Sequence, residues 1–202
     1  MGIRILGIGG EPATGKSSLM TRLFPGLPST PMQKVRLLRY HELLWRGRTV
    51  YVMGDYSGEI EHRGHFFGGT DKLSMAVLPE FLSVLRVWSI EKQMEGSVVV
   101  FEGDRLFTRK TFEAIEEMKE EYPTRERLSG LFIVLTVSEE EKKRRHIQRG
   151  DTQEASWLQG RATKVSRLCA AFPEIEQRPN ETEAHCKVNK VLIESWLEGN
   201  QK

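Results

Sequence analysis

The stretch Gly10-Glu11-Pro12-Ala13-Thr14-Gly15-Lys16-Ser17 decides the fold. It fits G-x-x-x-x-G-K-[ST], the pattern of a phosphate-binding loop, without a mismatch. Upstream, Ile3 to Ile8 predicts a short buried strand, and downstream Ser17 to Phe24 predicts the start of a helix. The physics follows from that strand-loop-helix order. The glycines let the backbone curl so that several N–H groups point at one anion. Lys16 adds a point charge near the β and γ phosphates of a nucleotide, and the helix N-terminus adds a partial positive charge. The Ser17 hydroxyl is placed to meet Mg²⁺. Gly10 to Ser17, with Ser18, are therefore the candidate phosphate ligands, and the pattern points to a nucleoside triphosphate.

Working outward, 202 residues suit one α/β domain with a small lid, here expected near 139–165. Hydrophobic residues make up 39% and charged residues 29%, enough apolar material for a sizeable core. The net charge of +2 is too small to argue for or against a polyanionic partner, so any basic surface must be local. Cys169 and Cys186 show no metal or redox spacing and read as reduced cytosolic thiols. The first residues read as strand and loop rather than a signal peptide. Met1-Gly2 lacks the Ser or Thr that myristoylation needs at Leu6. No apolar run approaches a membrane span.

Leu23 to Pro31 holds three prolines and a glycine and reads as a loop. Lys34 to Leu44 and Thr49 to Met53 predict two strands joined by Trp45 to Arg48. Gly54 to Asp71 predicts a loop over a site. A helix is predicted from Pro79 to Met94, a buried strand from Ser97 to Phe101, and an acidic helix from Thr108 to Glu121. Leu131 to Val137 predicts another buried strand, followed by a helix capped by Ser138. Trp157 to Ala171 predicts a helix, Ala184 to Val188 a last strand, and Asn189 to Leu197 a closing helix. Strands alternating with helices predict an α/β fold, a mostly parallel sheet covered on both faces.

Among triphosphate users, a GTPase switch finds Asp55-Tyr56-Ser57-Gly58 but no Asn-Lys-x-Asp, because Asn189-Lys190 is followed by Val191-Leu192. A kinase fits better. Arg145 and Arg149 are four apart on the helix after Leu131 to Val137, so one face carries both, where guanidinium groups would stabilise a transferring phosphoryl group. Val98 to Phe101 ends at Glu102-Gly103-Asp104-Arg105. This is a Walker B arrangement, with Glu102 or Asp104 as metal partner and Arg105 a candidate to grip substrate or phosphate. Asp55 and Asp71 are the candidates for taking the acceptor's proton. His41, His62 and His65 lack metal spacing and read as solvated loop histidines.

Several blocks together resemble the P-loop kinases: Gly10 to Ser18, Val52 to Tyr56, Phe67 to Met75, Phe101 to Leu106, Arg149 to Gln153 and Trp157 to Lys164. Within that superfamily they are similar to phage kinases that phosphorylate 5-hydroxymethyluracil bases in DNA, a step of thymidine hypermodification. The resemblance implies a three-layer sandwich with a helical lid, ATP with Mg²⁺ as donor, and double-stranded DNA containing 5-hydroxymethyluracil as partner. It also implies a cytoplasmic location in an infected bacterium. The target base would have to be flipped or strongly distorted, at a cost of about a few kcal/mol. Tyr56, Phe66 or Phe67 are candidates to stack on it. Arg161, Lys164 and Arg167 are candidates for nucleotide or DNA phosphates. The alternatives left open are a kinase of a free nucleoside, nucleotide or other small metabolite, and a GTPase-like switch.

Overall fold

The computed structural model describes residues 2–57, 69–121, 128–150 and 154–199. The side chains of Asp71 and Arg149 lie outside that description. In chain order the strands are β1 (Ile3–Gly10), β2 (Met32–Val35), β3 (Leu38–Trp45), β4 (Arg48–Met53), β5 (Val98–Glu102), β6 (Leu128–Thr136) and β7 (Glu176–Pro179). The helices are α1 (Lys16–Leu23), α2 (Leu78–Ile90), α3 (Arg109–Glu121), α4 (Glu139–Arg149), α5 (Ala155–Ala171) and α6 (Glu183–Glu198). The strands form one sheet in the order β2-β3-β4-β5-β1-β6-β7. From β4 to β7 every pairing is parallel, while β2, β3 and β4 are joined antiparallel.

Alternation along the central strands builds three layers. Ile3 and Ile5 of β1, Val99 and Phe101 of β5, and Phe132 and Val134 of β6 face a core shared with α2, α3 and α5. Leu6, Ile8, Val98, Val100, Ile133 and Leu135 face the opposite core, shared with α1 and α6. This is the period-two logic of a sheet buried on both faces. On the first side aromatic rings meet edge-on. Phe112 lies 5.0 Å from Phe107 and 4.7 Å from Phe132, centroid to centroid. That packing reaches β1 itself, where a Cβ on Gly9 would fall 2.5 Å from the Phe107 ring, so only glycine fits there.

The elements depart from the expected boundaries in three places. The predicted strand Lys34 to Leu44 is two strands, because the chain reverses at Arg36 and Leu37 and pairs Val35 with Leu38. The predicted strand Ala184 to Val188 is the first part of α6, whose N-cap Thr182 accepts from the His185 amide. The last strand is instead β7, a four-residue edge with the polar sequence Glu-Gln-Arg-Pro. Short polar edges carrying proline suit a sheet margin, and they give no apolar run to read. The helix expected from Pro79 to Met94 ends at Ile90, with a separate 3-10 turn at Lys92–Met94. Ser138 caps α4 as expected, its side chain accepting from the Glu141 amide. Among the described residues no helix is long and apolar enough to cross a membrane.

Phe112 is 1% exposed and sits where three aromatic contacts converge. Phe112→Ala is expected to cost about 3–5 kcal/mol through lost burial and a cavity. The urea midpoint should fall while the slope of the unfolding transition is kept.

Candidate active site

Every parallel strand points its C-terminal end to one edge of the sheet, where an open α/β fold places its ligands. β1 ends at Gly10 and runs into the loop, and α1 starts at Lys16. Inside the loop Gly10, Ala13 and Gly15 hold positive φ, at 136°, 65° and 90°. Glycine adopts such backbone freely, whereas Ala13 does so under strain that its surroundings must hold. The restraint comes from outside the loop. Arg145 Nη1 donates to the Ala13 carbonyl at 3.1 Å, and Asn180 Nδ2 donates to the Thr14 carbonyl at 2.8 Å. With those carbonyls held outward, the loop keeps the curl in which successive N–H groups make an anion-binding concavity.

The clamps are themselves anchored. Arg145 donates to the carbonyls of Asn180 and Glu181 at 2.8 and 3.0 Å and to the Glu141 carboxylate at 2.6 Å. Hydrogen bonds from Arg144 and Arg145 hold the Glu141 carboxyl down at about 2. Asn189, buried in α6, donates to the Pro179 carbonyl and to Asn180 Oδ1. Sequence reading placed Arg145 among the phosphate ligands; the structure spends its guanidinium on backbone carbonyls behind the loop. Asn180 and Asn189 were missed, because nothing in a single asparagine advertises that it will meet a loop 166 residues away in sequence. Arg145 and Asn180 also line a cleft of about 240 Å³ beside Gly15 and Ser18.

Lys16 Nζ donates to the Gly10 and Glu11 carbonyls at 3.0 and 2.9 Å, across the mouth of the loop. Glu11 reaches away to Lys142 of α4 at 2.7 Å. Ser17 Oγ donates to Glu102 Oε1 at 3.0 Å, and Tyr56 donates its hydroxyl to the same oxygen at 3.0 Å. Glu102 is 3% exposed. A carboxylate held there beside the Ser17 hydroxyl matches the oxygen donors Mg²⁺ takes, the ion bringing waters and phosphate oxygens for its other positions. Of the two candidate carboxylates, Glu102 is the one that stands beside the Ser17 hydroxyl.

Asp104 is engaged elsewhere. Its carboxylate forms an ion pair with Arg161, and its carbonyl accepts from Lys164 Nζ at 3.0 Å. Arg161 also lies over the Trp157 ring, 4.7 Å from its centroid. Arg161 and Lys164 thus face Gly9, Gly10 and Gly103, on the phosphate side of the cleft. Lys164 is exposed, with its ammonium on the Asp104 carbonyl. Arg167, on the same helix, is exposed. Arg105 reaches the sulfur of Met75. Phe66, Phe67, His62 and His65 fall outside the described residues. Asp71 is placed by backbone alone, in a single 3-10 turn (Thr70–Lys72) whose Thr70 hydroxyl donates to the Glu102 carbonyl at 2.5 Å. Arg149 is the last residue of α4.

Two further expectations are overturned. Tyr56 cannot stack on a base, because it is fully buried with its hydroxyl on Glu102. His41 is no solvated loop residue: it lies on β3 and is fully buried. Its Nδ1 is 2.8 Å from the Thr30 carbonyl and its Nε2 is 3.0 Å from the Tyr56 amide. A carbonyl only accepts and an amide only donates, so His41 is neutral with the proton on Nδ1. Asp55 is also recast. Oδ1 accepts from the Ser57 amide and hydroxyl, at 3.2 and 2.6 Å, and Oδ2 accepts from Arg39 at 2.8 Å. Burial pushes its carboxyl up, but the Ser57 and Arg39 hydrogen bonds and the Lys72 charge outweigh this and hold it below the usual range. Such a carboxylate is a poor proton acceptor. It fastens the segment after β4 instead, where Asp55 and Gly69 form an isolated bridge.

No family model matches the sequence, and no curated protein does. Among solved structures, the chain is similar to a gluconokinase from Sinorhizobium meliloti 1021, with 12% identity, a TM-score of 0.46, and 98% of this chain and 97% of that one covered. It is also similar to the G domain of the T. maritima FeoB iron transporter, with 14% identity, a TM-score of 0.32, and coverage of 94% and 98%. Likenesses of this size carry no argument about substrate, and the chemistry rests on the residues above.

Tyr56→Phe keeps the buried ring and removes only the hydroxyl that steadies Glu102. The Mg²⁺ concentration for half-maximal turnover should rise about 10-fold, with the unfolding midpoint little changed. Asp55→Asn tests the second assignment. Because the folded carboxyl sits below its ordinary value of 3.8, the charge stabilises the fold above that value. The stability gap between wild type and Asp55→Asn should be full at neutral pH and close as acid protonates Asp55, in urea melts at a series of pH values.

Proposed function

We propose that this chain is an ATP-dependent phosphotransferase that passes the γ-phosphate to the hydroxymethyl group of 5-hydroxymethyluracil in DNA. The observation that carries the phosphotransfer reading is the meeting of the Ser17 hydroxyl and the buried Glu102 carboxylate at the mouth of the phosphate loop. The acceptor rests on the sequence resemblance.

The loop N–H groups and Lys16 would hold the β and γ phosphates, and Ser17 and Glu102 would hold Mg²⁺. Bound there, the ion supplies charge neutralisation on the phosphate oxygens. The acceptor oxygen forms a bond to the γ-phosphorus as the bond to the β–γ bridging oxygen breaks, leaving ADP and a phosphomonoester, and the hydroxyl proton is released. A primary alcohol is a weak nucleophile, so in-line positioning supplies much of the rate. With Asp55 fastened to Arg39 and Ser57, Asp71 is the carboxylate assigned to receive the proton. Arg161 and Lys164 face the phosphate loop and would gather spread negative charge in the transition state. A guanine-reading switch is disfavoured. Asn189 of the Asn189-Lys190 pair is buried in α6 and bonded to Pro179 and Asn180, and Asp55 of the Asp-x-x-Gly run is bonded away from the loop.

The test is transfer from γ-labelled ATP with Mg²⁺ to three acceptors: duplex DNA containing 5-hydroxymethyluracil, the same duplex with thymine, and the free hydroxymethyl nucleoside and its monophosphate. Label is expected on the modified duplex alone, falling at least about 100-fold in Lys16→Ala. Label on the free nucleoside or nucleotide alone would reassign the protein to small-molecule phosphorylation. Hydrolysis without transfer would favour a switch.

A further inference from the structure

The two reversals of the antiparallel edge each carry an arginine at positive φ, Arg36 at 49° and Arg46 at 47°. An L-residue holds that backbone only when something compensates. For Arg46 the compensation is visible. It pairs with Glu194 and Glu198 and lies over Trp45, 4.8 Å from the ring centroid. For Arg36 no ion pair or hydrogen bond of the side chain exists among the described residues, and the residue is exposed.

The hairpin itself holds Arg36 in that backbone, through the Val35–Leu38 pairing on either side of the turn. Lys34 and Arg39 sit directly opposite each other across the β2–β3 hairpin. Like charges at that spacing destabilise a sheet. Arg39 is answered by Asp55, while Lys34 is exposed with no carboxylate partner among the described residues. Leu37, next to Arg36 at the tip, is 45% exposed. Yet the tip is pinned, because the Leu37 amide donates to Glu80 of α2 at 2.8 Å. Topology then sets where it stands. Tyr40 pairs with Met53, and the Gly54 amide donates to the Arg39 carbonyl at 2.8 Å, so the tip projects at the same sheet edge as Glu102 and the phosphate loop.

We infer that the β2–β3 hairpin is a duplex-reading finger. Leu37 enters the base stack as an apolar wedge beside the target nucleotide, and Arg36 and Lys34 grip the flanking phosphates. Apolar wedges flanked by cations are how proteins unstack a base step, and a kinase cleft needs its target base outside the stack. The finger supplies what the buried Tyr56 does not, an exposed apolar tip flanked by cations. Glu80 stands behind the tip and fastens its backbone. This inference rests on the proposed DNA acceptor.

The experiment uses the full chain and a duplex carrying one 5-hydroxymethyluracil with 2-aminopurine beside it. Binding is followed by anisotropy at several salt concentrations, unstacking by 2-aminopurine fluorescence, and transfer with γ-labelled ATP. Leu37→Ala should lose the fluorescence rise and slow transfer to the duplex at least 10-fold, while transfer to single-stranded DNA with the same base is spared. Arg36→Gly should weaken duplex binding several-fold and lower the salt slope by about one phosphate contact. Its melting temperature should stay level or rise, since glycine relieves the positive φ. A purely structural role for the tip would instead lower the melting temperature and leave the salt slope alone. Wild-type fluorescence rise and salt slope retained in both variants would overturn the finger and leave the kinase reading standing. A wild type that labels only the free nucleoside would overturn the DNA acceptor, and the finger with it.

Discussion

A phosphate-binding loop works only if its backbone amides face inward, and that forces its carbonyls to find donors outside. Here the carbonyls of Ala13 and Thr14 are taken by Arg145 and Asn180. Buried carbonyls left without donors would each cost about 1–3 kcal/mol, and the strain at Ala13 would add to that. Much of the distal half of the chain answers this need. β6 runs beside β1 and delivers α4, which carries Arg145. β7 runs beside β6 and delivers Asn180, whose own amide donates to the Thr136 carbonyl at 2.8 Å. α6 then returns with Asn189 to hold Asn180 from behind. Loop, helix and edge strand form one restraint, built from hydrogen bonds between segments far apart in sequence.

The second constraint is the buried carboxylate of Glu102. A carboxyl group at 3% exposure needs hydrogen-bond partners. Ser17 and Tyr56 both donate to Oε1, which ties the loop, the end of β5 and the segment after β4 to one atom. Tyr56 is in turn set by His41, whose tautomer is fixed by Thr30 and the Tyr56 amide. The antiparallel addition β2–β3 is therefore connected to the Glu102 carboxylate through a continuous run of buried polar contacts. Its other end carries the exposed tip at Arg36 and Leu37.

What the sequence discloses and what it hides follow from the range of the interactions. The loop is legible because its chemistry is local, with every essential residue inside eight positions. β1, β5 and β6 are legible because they are buried on both faces and leave apolar runs such as Val98 to Phe101. Glu102 is legible as the polar residue that ends such a run. β7 is hidden, because a polar edge strand has neither run nor alternation. The break at Arg36 is hidden because the turn uses an arginine where a glycine or asparagine would signal it. His41, Asn180 and Asn189 are hidden because their roles depend on distant backbone groups. In the sequence, Tyr56 and Asp55 read as residues of a loop over a site. Burial and hydrogen bonding turn them into supports for Glu102 and for the Asp55–Gly69 bridge.

Charge around the cleft is arranged in pairs of unequal strength, and this bears on how the site responds to a polyphosphate. Lys16 rests on two neutral carbonyls, Gly10 and Glu11. A phosphate oxygen offers it a charge-assisted bond about twice as strong, so Lys16 gains by exchanging them. Arg161 rests on a full negative charge at Asp104 and on the Trp157 ring, so it gains less by leaving. Arg145 rests on three backbone carbonyls and Glu141, and its departure would release the loop it restrains. The three cations therefore divide by what they would give up. Lys16 has the least to give up, Arg161 more, and Arg145 the most, since the Ala13 carbonyl it holds belongs to the loop itself.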